Sequence, residues 1–220
     1  MGHFMRFARK ATPNKIKNAR LSQIAWHLFK PHDQTYDRNY YAEVDVYAVD
    51  SAHAMAKTIT ERFQPKTVID VGCGTGALLE AFRGLGCEVR GLEYSEAALA
   101  YCHRRKLSVR KFNLEKDSAD EPRYDLATSF EVAEHLAPWV AKRYVGLLCA
   151  LSPLVVMSAA PPGQGGRNHI NEQPQSYWIK KFKRCNYLFD EKSSRELSLD
   201  WRTLGVTSWY RDNVMVFARS

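Results

Sequence analysis

The feature that most limits what this chain can become is the run KTVIDVGCGTG, residues 66–76. Its first half is a short β-branched strand, and its second half sets glycines at 72, 74 and 76. GALLEAFRGLG follows as a helix closed by Gly84 and Gly86, so the run opens a strand–turn–helix unit of a parallel sheet. The same period then recurs. CEVRGLEY (residues 87–94) reads as a second strand, and SEAALAYCHRRK as a helix with Ser95 as its N-cap. SVRKFNL (108–114) is a third strand and YDLATSFE (124–131) a fourth, with a long helix expected from there to about Ala150. PLVVMSAA (153–160) is a fifth; a Pro- and Gly-rich loop, a helix around 175–184, and closing strands at NYLFD and NVMVFAR complete the pattern. The expected fold is a doubly wound, mostly parallel α/β domain over residues 61–220. Residues 1–60 form a basic helical extension ahead of it, with VDSAHAMAKTITERF as its clear helix.

Composition narrows the setting. Hydrophobic residues make up 45% and charged residues 25%, the balance of an ordinary globule. No apolar run approaches the roughly 20 residues of a membrane span, and the N-terminus lacks the apolar stretch of a secretory signal. The cysteines at 73, 87, 102, 149 and 185 are scattered, with no CxxC pair, which argues against a zinc ribbon and a disulfide framework and fits a reducing cytoplasm. Residues 1–45 carry eight Lys and Arg against four Asp and Glu, half of the net +8. Such an arm can steer anions, but no nucleic-acid-binding motif accompanies it, so nucleic acid is not the favoured partner.

In sheets of this kind ligands bind beyond the carboxyl ends of the strands, beside the first one. DVGCGTG lies there. With Ala77 it also fits the dinucleotide pattern (Gly72, Gly74, Ala77), which alone is weak support for NAD. Asp70 argues the other way: a carboxylate there repels a pyrophosphate and attracts a cofactor bearing an ammonium and a sulfonium. Glu93, ending the second strand, suits ribose hydroxyls in either case.

Taken together, DVGCGTG, GLEYS, FNL and YDLATSFEVAEHL resemble, in that order, the class I S-adenosylmethionine-dependent methyltransferases, over roughly residues 60–160. The resemblance implies a Rossmann-like sheet of seven strands, the last antiparallel, and makes residues 61–220 the methyltransferase domain. It also implies roles. Asp70 and Gly72, Cys73, Gly74, Thr75 and Gly76 hold the methionine part of S-adenosylmethionine. Glu93 takes the ribose hydroxyls, Tyr94 packs near the adenine, and Asn113 and Leu114 meet its edge. Asn113 stands where the family often has Asp. Phe130 and Glu131, ending the fourth strand, abut the methyl group.

FEVAEHL (130–136) would place Glu131, Glu134 and His135 on one face of a helix. Three readings stay open. His135 can be a general base, with His169 as the second candidate. Glu131, Glu134 and His135, completed by His169, can hold a divalent metal, as in the similar ExxEH pattern of ubiquinone-pathway O-methyltransferases and small-RNA 2′-O-methyltransferases. Or the string packs the helix start.

The loop APPGQGGRNHINEQPQSYW (160–178) reads as a mobile substrate loop offering His169, Asn171, Glu172, Gln173, Tyr177 and Trp178; the alternative is a buried network tying it to its own backbone. Its APP is not the amino-methyltransferase motif, which belongs after the fourth strand and needs an aromatic where Gly163 stands. Tyr36, Tyr40 and Tyr41 can close over the cofactor, while Trp201, Trp209 and Tyr210 are expected to pack in a closing hairpin. The expected function is O-methylation of a small-molecule or sugar-like acceptor, with release of S-adenosylhomocysteine. A metal-assisted RNA 2′-O-methyltransferase and a non-catalytic cofactor-binding scaffold are the alternatives.

Overall fold

The computed structural model describes residues 36–220; most of the basic arm lies outside the described residues. Helix α1 (Arg38–Phe63) starts where the Asp37 side chain accepts from the Tyr40 amide at 2.9 Å, a standard N-cap. It ends at Gln64, whose left-handed backbone (φ 48°) closes the last turn. The helix therefore begins well before the segment legible as helical, with Tyr40 and Tyr41 in its first turn and Tyr36 just ahead of its cap.

The elements that follow are β1 (Thr67–Val71), α2 (Ala77–Gly84), β2 (Glu88–Glu93), α3 (Glu96–Arg104), β3 (Val109–Lys111), β4 (Leu126–Phe130) and α4 (Ala141–Leu151). Then come β5 (Leu154–Ser158), α5 (Gln175–Lys183), β6 (Tyr187–Phe189), α6 (Glu191–Thr203), α7 (Ser208–Arg211) and β7 (Met215–Arg219). The seven strands form one sheet in the order β3-β2-β1-β4-β5-β7-β6. All neighbours are parallel except β7, which runs antiparallel to both β5 and β6. This is the doubly wound α/β sheet expected from the strand–helix alternation.

The central strands are buried on both faces, as parallel strands covered by helices must be. On one face, Tyr144, Val145 and Leu148 of α4 and Trp178 and Phe182 of α5 pack over β4, β5 and β7, with Phe182 stacked on Phe217 at 3.9 Å between ring centroids. On the other, Met55, Ala56 and Ile59 of α1 share a core with Phe82 of α2 and Leu197 and Trp201 of α6. No helix among the described residues is long and apolar enough to cross a membrane.

Two expectations are corrected here. No continuous helix follows β4: Glu131 is left-handed (φ 53°), a single 3₁₀ turn spans Ala133–His135, and Leu136 returns to extended backbone before α4 begins at Ala141. Pro138 accounts for much of this, since it has no amide to donate and disfavours helical backbone at Ala137. The closing strands are not a hairpin either, because α6 and α7 lie between them; Trp201 is a core residue of α6, whereas Trp209 and Tyr210 belong to α7.

Candidate active site

A cavity of about 880 Å³ opens at the carboxyl ends of β1, β2 and β4, with α1 along one side. The chain leaves β1 into the glycine turn, where the Gly72 and Cys73 amides donate to the Leu92 carbonyl at 2.7 and 3.2 Å. Gly72 (φ 74°) and Gly76 (φ 80°) need glycine for space as well as for backbone. A Cβ would lie 2.6 Å from Val132 Cγ2 at the first and 2.5 Å from Leu107 Cδ1 at the second.

Asp70 is 4% exposed, and Thr128 Oγ1 donates to its Oδ1 at 2.8 Å. Burial pushes its pKa up to about 7, with the hydrogen bond working against the rise. Glu93 is buried too, and three backbone amides converge on it: Gly74 on Oε2 at 2.8 Å, Tyr94 and Ser95 on Oε1 at 2.7 Å each. Burial still leaves its pKa raised. A carboxylate has about four acceptor positions, so one stays available to a hydroxyl. Tyr94, Asn113 and Leu114 line the same end of the cavity. The Asn113 Oδ1 accepts from the Glu115 amide at 2.9 Å, which leaves the side-chain NH₂ as its donor to a ligand edge.

At the other end, the left-handed Glu131 leaves β4 and splits the trio expected on one helix face. Its carboxylate turns to Ser158 Oγ (2.8 Å) and Gln164 Nε2 (2.7 Å), and Asn213 Nδ2 in turn donates to Gln164 Oε1 at 2.7 Å. Burial raises the Glu131 pKa. Glu134 is 0% exposed, and neither carboxylate oxygen has a hydrogen-bond partner among the described residues. Burial, then the neighbouring Glu131 charge, raise its pKa well above the usual range. Glu134, His135 and His169 offer ligand atoms within 4.8 Å of one another; Glu131 is not part of that group. The two imidazoles meet edge to face at 4.9 Å.

Both rings have polar partners at Nδ1. For His135 these are the Asn168 carbonyl at 3.3 Å and the Tyr36 hydroxyl at 2.9 Å; for His169 it is Glu172 Oε1 at 3.1 Å. An ionised carboxylate can only accept, so Glu172 assigns the His169 ring proton to Nδ1 and its lone pair to Nε2. The Tyr36 hydroxyl, which accepts from Asn168 Nδ2, can donate to His135 Nδ1 as well as accept from it, so both tautomers of His135 fit its partners. Burial alone would raise Glu172, but the Gly163 and Gly165 amides and His169 more than offset it and hold its carboxyl below the usual range.

The loop after β5 is divided. Residues 164–169 line the cavity, whereas Asn171, Glu172, Gln173, Tyr177 and Trp178, expected to reach substrate, do not. Asn171 is buried, with its amide on the Glu134 carbonyl at 3.0 Å and its Oδ1 accepting from Gln173 Nε2. Trp178 is 1% exposed beneath α4, against Tyr177 and Tyr144. The apolar bodies of Tyr177 and Trp178 are drawn into the core by α5, and the polar residues tie the loop to its own backbone.

Tyr36, Tyr40 and Tyr41, read in the sequence as able to close over the cofactor, line the cavity too, with Tyr36 joined to His135 and to Asn168 Nδ2 (3.2 Å). Its carbonyl accepts from Ser95 Oγ at 3.3 Å, so the entry to α1 touches both ends of the site. Other cavity residues had little or no signal in the sequence. Arg167 lies over the Tyr40 ring at 5.1 Å. Trp209 and Tyr210 of α7 complete an aromatic wall with Phe130. Lys116, Gln164 and Asn168 had no signal beyond being polar.

The described residues fit S-adenosylmethionine: an acid beside a cramped glycine turn for the methionine part, an acid after β2 for a diol, and an amide with apolar neighbours for the adenine. Fold and cavity thus define a Rossmann-like domain for a nucleoside cofactor. The sequence model of a family described as a methyltransferase domain matches residues 40–157, and the chain belongs to the class I S-adenosylmethionine-dependent methyltransferases. It is 38% identical over 78 residues to a ubiquinone biosynthesis O-methyltransferase of Alkalilimnicola ehrlichii, covering 32% of each chain. To that of Nitrosomonas europaea it is 31% identical over 124 residues, covering 53% of this chain and 50% of the relative. The chain thus spans half or less of the length of these relatives. In fold it is similar to magnesium protoporphyrin IX methyltransferase from Synechocystis PCC 6803, solved with bound S-adenosylhomocysteine. That match has a TM-score of 0.58 and 15% identity, and it covers 94% of this chain and 97% of the other.

Proposed function

We propose that this chain passes the methyl group of S-adenosylmethionine to an oxygen of a small-molecule or sugar-like acceptor, releasing S-adenosylhomocysteine. The observation that carries this reading is the pair of imidazoles beyond β4, His135 and His169, meeting edge to face at 4.9 Å in the cavity wall. Bound in the cavity, the cofactor supplies an electrophilic methyl carbon on a sulfonium. Asp70 and the glycine turn hold its amino acid part, Glu93 its ribose, and Asn113 with Leu114 its base. Phe130, Trp209 and Tyr210 exclude water from the acceptor side. His135 takes the hydroxyl proton, with the Asn168 carbonyl and the Tyr36 hydroxyl at Nδ1 holding the ring in place. The O-methyltransferase names of the curated relatives support oxygen as the accepting atom.

The test uses radiolabelled S-adenosylmethionine with phenols, sugars and RNA ends. His135→Ala is expected to keep cofactor affinity and lose at least ~10²-fold in turnover. Near-normal turnover rules out the base role, and cofactor binding without transfer to anything in a cell extract leaves the scaffold reading.

A second reading is favoured by one specific feature: a fully buried carboxylate with no hydrogen-bond partner among the described residues, beside two histidines. Glu134, His135 and His169 fit a divalent cation, which when bound lowers the pKa of an acceptor hydroxyl. It extends the acceptor range to vicinal diols and RNA ends. Thermal unfolding of chelated protein with S-adenosylhomocysteine should then rise again with Mg²⁺ or Mn²⁺, and Glu134→Ala should abolish that second rise. RNA binding that fails even at low salt removes the RNA acceptor.

A further inference from the structure

The Gly-rich segment after β5 reads as a mobile loop, yet its backbone is gathered around one side chain. The Glu172 carboxylate accepts the Gly163 amide on Oε2 at 2.8 Å and the Gly165 amide on Oε1 at 2.7 Å. Both glycines are left-handed, at φ 93° and 71°, conformations that other residues adopt at a cost. The third donor is His169 Nδ1, 3.1 Å from Oε1. Gly166 completes the seat: a Cβ there would lie 2.3 Å from His169 Nε2 and 2.5 Å from Cε1, so the ring packs on bare backbone. Beyond the clamp, the Ile170 and Asn171 amides donate to the Glu134 carbonyl at 2.9 and 3.0 Å. One carboxylate is therefore bonded to two glycine amides of the loop and to the ring that lies beside Glu134 and His135.

We infer that Glu172 is a positioning residue: through its bond to Nδ1 it fixes the proton and the orientation of His169 at the reacting end of the cavity. This rests on the functional reading above, in which His169 serves the acceptor side as second base or as metal ligand. It assigns Glu172 a part that does not require it to touch cofactor or acceptor. Carboxylates that orient a histidine from behind change the affinity or activity of the site they serve by about 10–100-fold when removed.

The experiment uses the full chain labelled with ¹⁵N-histidine, with and without S-adenosylhomocysteine, as wild type, Glu172→Gln, Glu172→Asp and Gly166→Ala. Wild-type His169 is expected in the Nδ1–H tautomer. In Glu172→Gln the Nε2–H form should become the larger population, because the glutamine oxygen cannot serve both glycine amides and the ring. Glu172→Asp, which keeps the charge on a shorter arm, should restore part of the Nδ1–H form. Gly166→Ala should shift the ring resonances while Glu172 stays intact, which gives a second route if Glu172→Gln does not fold. Titration with Mn²⁺ is expected to be about 10–100-fold weaker in Glu172→Gln. An unchanged His169 tautomer in folded Glu172→Gln, or an Nε2–H tautomer in the wild type, overturns the inference. Failure of the wild type to bind S-adenosylhomocysteine overturns the cofactor reading instead. If the wild type takes no Mn²⁺, the metal reading falls and the tautomer alone decides.

Discussion

Two glycine-rich turns border the cavity, and each is bonded to a glutamate with three donors. After β1, Glu93 gathers the Gly74, Tyr94 and Ser95 amides; after β5, Glu172 gathers the Gly163 and Gly165 amides and His169. Their pKa values move in opposite directions. Burial dominates at Glu93 and raises it, whereas at the less buried Glu172 the hydrogen bonds prevail and lower it. The first turn is cramped, so that a side chain at Gly72 or Gly76 would strike a neighbour, while at Gly163 and Gly165 nothing lies within 4 Å. Glycine thus does two jobs in one molecule. At Gly72 and Gly76 it makes room, and at Gly163 and Gly165 it only turns amides toward an acid.

The largest contrast should come from the turns themselves. Gly72→Ala meets Val132 and forces φ 74° on a residue with a side chain. It is expected to cost about 2–4 kcal/mol in denaturant unfolding and to weaken S-adenosylhomocysteine at least ~100-fold by calorimetry, a loss of about 2.7 kcal/mol in binding. An unchanged affinity would remove that turn from the cofactor site. Next come the two acids. Glu93→Gln leaves a backbone amide facing an NH₂ group and should weaken S-adenosylhomocysteine about 10–100-fold, as the loss of charge-assisted bonds predicts; Glu172→Gln should change it less than about 2-fold. Equal losses would mean the two turns serve one ligand.

pH separates them further. The folded pKa of Asp70, about 7, lies above its ordinary value of 3.8, so between those values the folded state holds a proton that the unfolded state has lost. Its contribution to stability is therefore greatest below about pH 4 and falls as pH rises to about 7. A ligand ammonium needs the ionised form, so S-adenosylhomocysteine affinity should rise roughly 10-fold from pH 6 to 8 and lose that dependence in Asp70→Asn. A persistent slope in the variant would place the titrating group elsewhere. The smallest effect is Gly165→Ala: with open space around it, only backbone strain is at stake, about 1–2 kcal/mol, with cofactor affinity unchanged.

The first turn was legible in the sequence because its determinants are contiguous: a β-branched strand, an acid, and glycines at fixed offsets dictate one geometry. The strands and most helices were legible for the same reason. The second turn was not, because Gly163 and Gly165 matter through an acid nine and seven residues away, and the string reads equally as a mobile substrate loop. FEVAEHL misled through its spacing, which suits a helix face; the left-handed Glu131 and Pro138 decide otherwise, and the convergence of Glu134, His135 and His169 comes from a loop on another strand. Trp209 and Tyr210 lay on an unexpected short helix, so the sequence carried no sign of their place in the cavity wall.

The position of β7 has a consequence for how the molecule is made. It lies between β5 and β6 and is the strand to which β6 is hydrogen-bonded, though it follows β6 by 25 residues of helix and turn, 190–214. A ribosome that has delivered β6 has not yet delivered its neighbour. Until Met215–Arg219 emerges, Leu188 sits on an unpaired edge and Phe182 lacks Phe217 to stack against. The nascent sheet must pass through an incomplete stage with an exposed apolar margin, the interval in which a chaperone or a neighbouring chain can most easily capture it.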